Sequence, residues 1–260
     1  MDTTRVSERG FVGVSAALFA ASVVQTVVTC ASMSAMGSMS MPGGWKMSMT
    51  WMRMPGQTWP GIAASFVGMW CVMMAAMMMP SLMPMLARYR RAVRASGETR
   101  PGPRTVIVSA GYFLVWTALG VAVFPLGVAV ATVAMEQPAL ARAVPILAAA
   151  VIVLAGWVQL TAWKTRQLAC CRVEPMGHLL RGDAGSAWRH GLRLGLRCVR
   201  CCASLTAVLL VIGVMDLRAM AAVTVATTIE RVAAAGDRFA RATGALLIGM
   251  GLFLLVRAMG

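Results

Sequence analysis

The chain has 260 residues, of which 59 % are hydrophobic and only 13 % are charged, and its mean hydropathy is +0.74. This composition excludes a soluble globular domain and predicts a polytopic membrane protein. The formal net charge of +15 would suggest nucleic-acid binding in a soluble protein. Here we attribute it to the Lys and Arg of cytoplasmic loops, so no nucleic-acid partner is expected.

The apolar runs predict an all-α transmembrane helix bundle of about seven helices in a single integral membrane domain, residues 1–260. A tight hairpin at Asp216 is expected to separate the fifth helix from a short sixth one. The alternative is one long helix across Asp216, which gives six helices. In chain order, the predicted spans are 11–31, 61–87, 105–135, 143–163, 198–215, 219–229 and 242–256.

The distribution of Lys and Arg orients this predicted bundle. With the N-terminus inside, 19 of the 24 Lys and Arg residues fall in inner segments and 5 in outer segments. This asymmetry is typical of multi-pass proteins in the bacterial inner membrane, with the lipid bilayer as their surroundings. Residues 32–60 then form a Met-rich extracytoplasmic loop, and residues 164–197 form a basic cytoplasmic loop.

Thioether sulfurs crowd the second predicted span and the loop before it, because 16 of the 23 methionines lie between Met33 and Met85. A thioether is soft and neutral, so it can hold Cu(I), or Ag(I) as its surrogate, in a bilayer without adding a buried anion. The alternative is that these side chains only pack an apolar core. The candidate ligands, which helical spacing gathers on one broad face, are Met73, Met74, Met77 and Met78.

The outer loop carries Met-x-Met and Met-x-x-Met spacings, which predict an exposed and easily exchanged site for Cu(I). Trp45 and Trp51 are expected to cap a bound cation through their ring faces. The alternative is a mobile loop whose methionines contact the membrane surface. The candidate ligands of this loop are Met47, Met49, Met52 and Met54.

Five cysteines cluster in the inner segments, and three of them lie at i, i+3 and i+4 on one helical face. Two or three thiolates suit Cu(I), whereas four would suit Zn(II) or an iron–sulfur cluster. A Cys-x-x-Cys dithiol that cycles with a disulfide, or inert buried thiols, are the alternatives. The candidate inner ligands are Cys198, Cys201, Cys202, Cys170, Cys171 and His190.

Two stretches resemble the signatures of a bacterial family of integral membrane proteins predicted to bind metal. The first is Trp70-x-x-Met73-x-x-Ala76-Met77-Met78-x-Pro80-Ser81-x-x-Pro84. The second is Gly191-x-x-x-Gly195-x-x-Cys198-x-x-Cys201-Cys202, followed by Gly213-Val214-Met215. Arg200 stands where the pattern leads us to expect Gly, and Ala203 where we expect Trp. The resemblance implies metal binding but neither a direction nor a mechanism.

These patterns favour Cu(I) uptake across the membrane, with Met ligands outside, the Met face within and tighter Cys ligands inside. One alternative is a membrane copper chaperone that delivers Cu(I) to a cuproenzyme such as a terminal oxidase. A second alternative is a thiol–disulfide electron carrier. No catalytic motif is present, so no enzymatic activity is predicted. The expected partners are the copper ion and a cytosolic copper chaperone or cuproenzyme, and the sequence does not distinguish a monomer from a homo-oligomer.

Overall fold

The computed structural model describes residues 2–35, 37–48, 51–52, 56–97, 101–172 and 183–259. Within these residues the chain is an all-α bundle with one short two-stranded hairpin. Six helices, namely α1, α2, α3, α4, α6 and α8, are long and apolar enough to cross a membrane. The elements are α1 Asp2–Ala35, β1 Ser38–Ser40, β2 Lys46–Ser48, α2 Trp59–Ala95, α3 Pro101–Glu136, α4 Pro138–Leu160, α5 Ala162–Arg172, α6 Ala184–Ile212, α7 Leu217–Val232 and α8 Gly236–Met259.

The bundle has two ends, which we name after the features that lie there. The hairpin end lies beside β1 and β2, and the basic end lies beside the last turns of α2. At the basic end, Arg94 of α2 forms an ion pair of 2.7 Å with Glu8 near the start of α1, so α1 and α2 are antiparallel. Trp70 Nε1 donates to the Trp116 carbonyl (2.9 Å), which holds α2 against α3.

Glycines allow the α3–α6 and α4–α8 pairs to approach closely. A Cβ at Gly191 would lie 2.3 Å from the carbonyl oxygen of Val108, so α6 packs on α3 backbone to backbone. Likewise a Cβ at Gly156 of α4 would lie 2.7 Å from the carbonyl oxygen of Gly244 in α8. These approaches place the middle of α6 inside the bundle, with one face toward α2 and α3.

The helical hairpin that was predicted at Asp216, between α6 and α7, is confirmed. The helical backbone stops after Ile212, and α7 begins at Leu217 with Asp216 as its N-cap. The carboxylate of Asp216 accepts hydrogen bonds from the backbone N–H groups of Arg218 (2.8 Å) and Ala219 (2.9 Å). With 16 residues, α7 is about 24 Å long, shorter than the hydrocarbon core of a bilayer. Because the helix is broken between Ile212 and Leu217, the alternative of one continuous helix across Asp216 is wrong. Its count of six nevertheless equals the number of described helices that are long and apolar enough to cross a membrane.

The segment predicted as the basic loop is more ordered than the sequence suggested. Residues 162–172 form α5, and α6 begins at Ala184 rather than near Cys198. The first turns of α6 are helical because Gly191 and Gly195 bring them into contact with α3. Polar side chains on the other face hid this packing, since the sequence alone shows only frequent arginines.

The Met-rich segment before α2 also differs from an extended loop. β1 and β2 pair antiparallel, with Met39 opposite Met47. Met41 and Met47 are buried against the ends of α3 and α4. Trp45 Nε1 donates to the carbonyl of Ala141 (2.9 Å). The segment is thus tied to the bundle by apolar packing and one indole hydrogen bond.

Candidate metal centre

The methionines predicted to share one face of α2 do lie together inside the bundle. Met73, Met74, Met77 and Met78 are each no more than 3 % exposed. The helix continues through Pro80 and Pro84 without interruption. The thioethers of these four methionines therefore face the bundle core, where they can contact side chains of α3, α6 and α7.

Cys198 of α6 is the centre of the sulfur cluster in this core. It is completely buried. Its Sγ lies 3.8 Å from Cys202 Sγ on the next turn and 3.9 Å from Met78 Sδ on α2. The phenol of Tyr112, on α3, donates a hydrogen bond to the same sulfur (3.0 Å). We call Cys198, Cys202 and Met78 the core sulfur triad.

Arg231, at the end of α7, reaches into this triad. Its Nη1 donates to Cys198 Sγ (2.9 Å) and to Ser81 Oγ (2.7 Å), while Nη2 lies 3.1 Å from Met85 Sδ. Arg231 is one of the 19 Lys and Arg residues that were counted in inner segments. Its side chain is only 3 % exposed and packs against sulfur, so it lies within the bundle rather than in a polar loop. A permanent positive charge is therefore part of the site.

A second buried charged group lies beside the triad. Lys164 Nζ and Glu230 Oε2 form an ion pair of 2.6 Å, and both side chains are 1 % exposed. Lys164 also donates to the carbonyl of Cys201 (2.7 Å), and Gln159 Nε2 donates to the other carboxylate oxygen of Glu230 (2.7 Å). These bonds lock α4, α5, α6 and α7 together at the level of the cysteines.

The remaining inner cysteines extend the cluster toward the basic end. The side chains of Cys171 and Cys201 hydrogen-bond each other, and Cys201 in turn contacts Cys202. Cys171 Sγ donates to the carbonyl of Arg197 (3.5 Å), and the hydrogen bond with Cys201, followed by burial, raises the pKa of the Cys171 thiol. Cys170 is exposed and stands apart from this line of thiols.

The other predicted ligands lie elsewhere. His190 stacks on Tyr89 with ring centroids 5.2 Å apart, about 12 Å along α6 from Cys198. Met47 is packed in the small cluster at the hairpin end, and Met52 is half-buried. Met49 and Met54 lie outside the described residues. Trp51, expected as a cation cap, packs instead against Phe66.

The arrangement of these donors limits what the site can bind. Among the described residues, no three His, Cys, Asp or Glu side chains converge on a point that could hold a metal ion. A site with three sulfur ligands in this core would therefore take at least one of them from a methionine. Three sulfurs around one ion at about 2.3 Å would lie about 4.0 Å from one another. The two measured separations within the core sulfur triad, 3.8 and 3.9 Å, are close to that value.

Comparison with known proteins gives a family for this chain. The sequence model of the PpoB2 family, described as a copper chaperone, matches residues 67–254. The chain belongs to the PpoB2 family. No curated protein and no solved structure matches it. The family description supports a copper-handling role and names a chaperone rather than a catalyst. The matched range of the PpoB2 model contains the core sulfur triad and Arg231, whereas the Met-rich segment before α2 lies outside it.

One feature of the sequence could have identified Glu230 and Arg231, which were not among the predicted site residues. Glu230 and Arg231 directly follow an apolar stretch, and ionisable residues at such a position in a membrane protein are functional candidates by default. In the structure Glu230 forms an ion pair with Lys164. Tyr112 had no comparable signal, since only the packing of α3 against α6 brings it to Cys198. Ser81 belongs to the first signature, but only the packing of α2 against α7 brings it to Arg231.

Proposed function

We propose that this protein is a membrane copper chaperone that holds one Cu(I) ion in the core sulfur triad and passes it to a copper-requiring protein. The observation that carries the proposal is the buried approach of Cys198 Sγ to Cys202 Sγ and Met78 Sδ. Thiolate and thioether sulfur are the ligands that soft Cu(I) prefers. The family description favours this chaperone role over the uptake role that we had placed first.

The charges around the triad favour a monovalent ion. A cysteine must lose its proton to ligate a metal, so two cysteine ligands bring two negative charges. Arg231 contributes one positive charge, and a Cu(I) ion contributes the second, which makes the loaded site neutral. The adjacent Lys164–Glu230 pair is neutral by itself. A divalent ion would leave one positive charge uncompensated in a buried site, which is costly.

The proposed location is a bacterial inner membrane, with the basic end of the bundle in the cytoplasm and the hairpin end outside. The bias of Lys and Arg toward the basic end supports this orientation. In it, the whole chain is one integral membrane domain, residues 32–60 are extracytoplasmic and part of residues 164–197 lies in the cytoplasm. The line from Cys202 through Cys201 to Cys171 then runs from the triad toward the cytoplasmic end, where a partner can accept the ion.

A cell experiment distinguishes the chaperone from the uptake transporter and from a thiol–disulfide carrier. Deleting the gene is expected to lower the activity of a copper oxidase while total cell copper stays unchanged. The wild-type gene and a Cys170→Ser variant are expected to restore the oxidase, because Cys170 is exposed and outside the triad. Cys198→Ser is expected to fail.

Two outcomes would contradict the proposal. A fall in total cell copper that parallels the loss of oxidase activity would favour uptake. Full restoration by Cys198→Ser would remove the triad from the function. If the protein were instead a thiol–disulfide electron carrier, the Cys201→Ser variant would lose its activity even when the purified protein contains no copper.

A further inference from the structure

A cavity of about 260 Å³ lies between α1, α2 and the turn that joins α6 to α7. Its wall includes one thiol and four thioethers, a larger number of sulfur atoms than the core sulfur triad contains. Cys30 Sγ lies 3.8 Å from Met215 Sδ across this wall. The sulfur-bearing residues that line the cavity are Cys30, Met69, Met73, Met215 and Met220.

The composition of the wall indicates what the cavity can hold. None of the described residues that line it carries a charged side chain. Thioether sulfur is a weak ligand for hard cations and a good one for soft cations. If Cys30 binds as a thiolate, one monovalent cation makes the site neutral. A wall built only for a lipid chain would have no need of five sulfur atoms, since Leu or Val would fill it as well.

The position of the cavity connects it to the core. Met73 lines the cavity and belongs to the same buried face of α2 as Met78, about 7.5 Å further along the helix. The cavity is on the hairpin-end side of the core sulfur triad, because Met215 and Met220 flank the turn at Asp216. Cys30 precedes residues 67–254, the range matched by the family model, so the family description does not cover this thiol.

We propose that this cavity is a second binding site for a soft monovalent cation, which the ion occupies before it enters the core sulfur triad. The inference rests on the proposed function in one respect, namely that the ion is Cu(I). The thiol of Cys30 and the thioether of Met215 are its central ligands. Met69, Met73 and Met220 complete the lining and lead toward Met78.

Silver binding to the purified full-length protein tests this site. The number of Ag(I) ions retained per chain is measured by elemental analysis after dialysis against a weak competing ligand. The wild type is expected to retain two ions, and a Cys30→Ser, Met215→Leu double variant one. Met250→Leu, on α8 and outside the cavity lining, is the matched control and is expected to retain two. Leu has nearly the volume of Met, so the fold should be kept, and the thermal unfolding midpoint checks this.

The outcomes separate this inference from the proposed function. A double variant that retains as many ions as the wild type would show the cavity to be apolar space and would overturn the inference. A Cys198→Ser, Cys202→Ser variant is expected to retain one ion, the one in the cavity. If that variant retains two ions, the core site fails while the cavity site stands. If it retains none, the cavity has no site of its own and the inference is overturned.

Discussion

Replacing Arg231 with glutamine is expected to weaken Ag(I) binding in the core sulfur triad by at least about 100-fold. The guanidinium contacts Cys198 Sγ at 2.9 Å in a fully enclosed site. Removing one partner of such a buried charged contact costs about 3–5 kcal/mol, and about 1.4 kcal/mol corresponds to a tenfold change in affinity. The same substitution should raise the relative affinity for Cd(II), because two thiolates then neutralise a divalent ion. Competition between Ag(I) and Cd(II) for the purified protein measures both effects.

Two further variants make the Arg231 experiment specific. Arg231→Lys keeps the positive charge, so its preference for Ag(I) over Cd(II) should stay close to that of the wild type even if both ions bind less tightly. Arg238→Gln removes an exposed arginine of the neighbouring segment and should change neither affinity. The charge argument fails if Arg231→Gln binds the two ions with the same preference as the wild type.

Replacing Glu230 with glutamine is expected to be among the most destabilising single changes in the chain. Lys164 would keep its charge in a site where it is 1 % exposed and where its carboxylate partner, 2.6 Å away, is gone. Removing one partner of a buried ion pair lowers the free energy of unfolding by about 3–5 kcal/mol. For a chain of this size that corresponds to a fall of about 10 °C in the unfolding midpoint. Thermal unfolding of the detergent-solubilised protein gives this value.

The control for this change removes both charges together. A Lys164→Met, Glu230→Leu double variant leaves no buried charge without a partner, so it should recover much of the lost stability. Glu136→Gln, at an exposed helix end, should have almost no effect. Wild-type stability in Glu230→Gln would mean that the ion pair does not hold α4, α5, α6 and α7 together.

Much of the bundle was predictable because local patterns determine it. Apolar length gives the long helices, and Asp216 followed by a helical sequence gives a hairpin with an N-cap. The spacing of Cys198, Cys201 and Cys202 and the concentration of Met on α2 also pointed to the buried sulfur cluster. These signals all lie within single helices.

What the sequence did not reveal depends on contacts between distant residues. Arg231 lies 33 positions from Cys198, and charge counting treats it as any other basic residue. Cys30 stands alone in the sequence, and only the packing of α1 brings it to Met215. Cys170 and Cys171 are adjacent, yet only the packing of α5 decides that Cys171 is buried and Cys170 exposed.

X-ray absorption at the copper edge tests the central claim most directly. The Cys30→Ser, Met215→Leu variant, loaded with one equivalent of Cu(I), reports on the core site alone. We expect a copper ion with three sulfur neighbours at about 2.3 Å, and one sulfur fewer when Cys202→Ser is added. A first shell of nitrogen or oxygen, or a sulfur shell that Cys202→Ser leaves unchanged, would contradict the account.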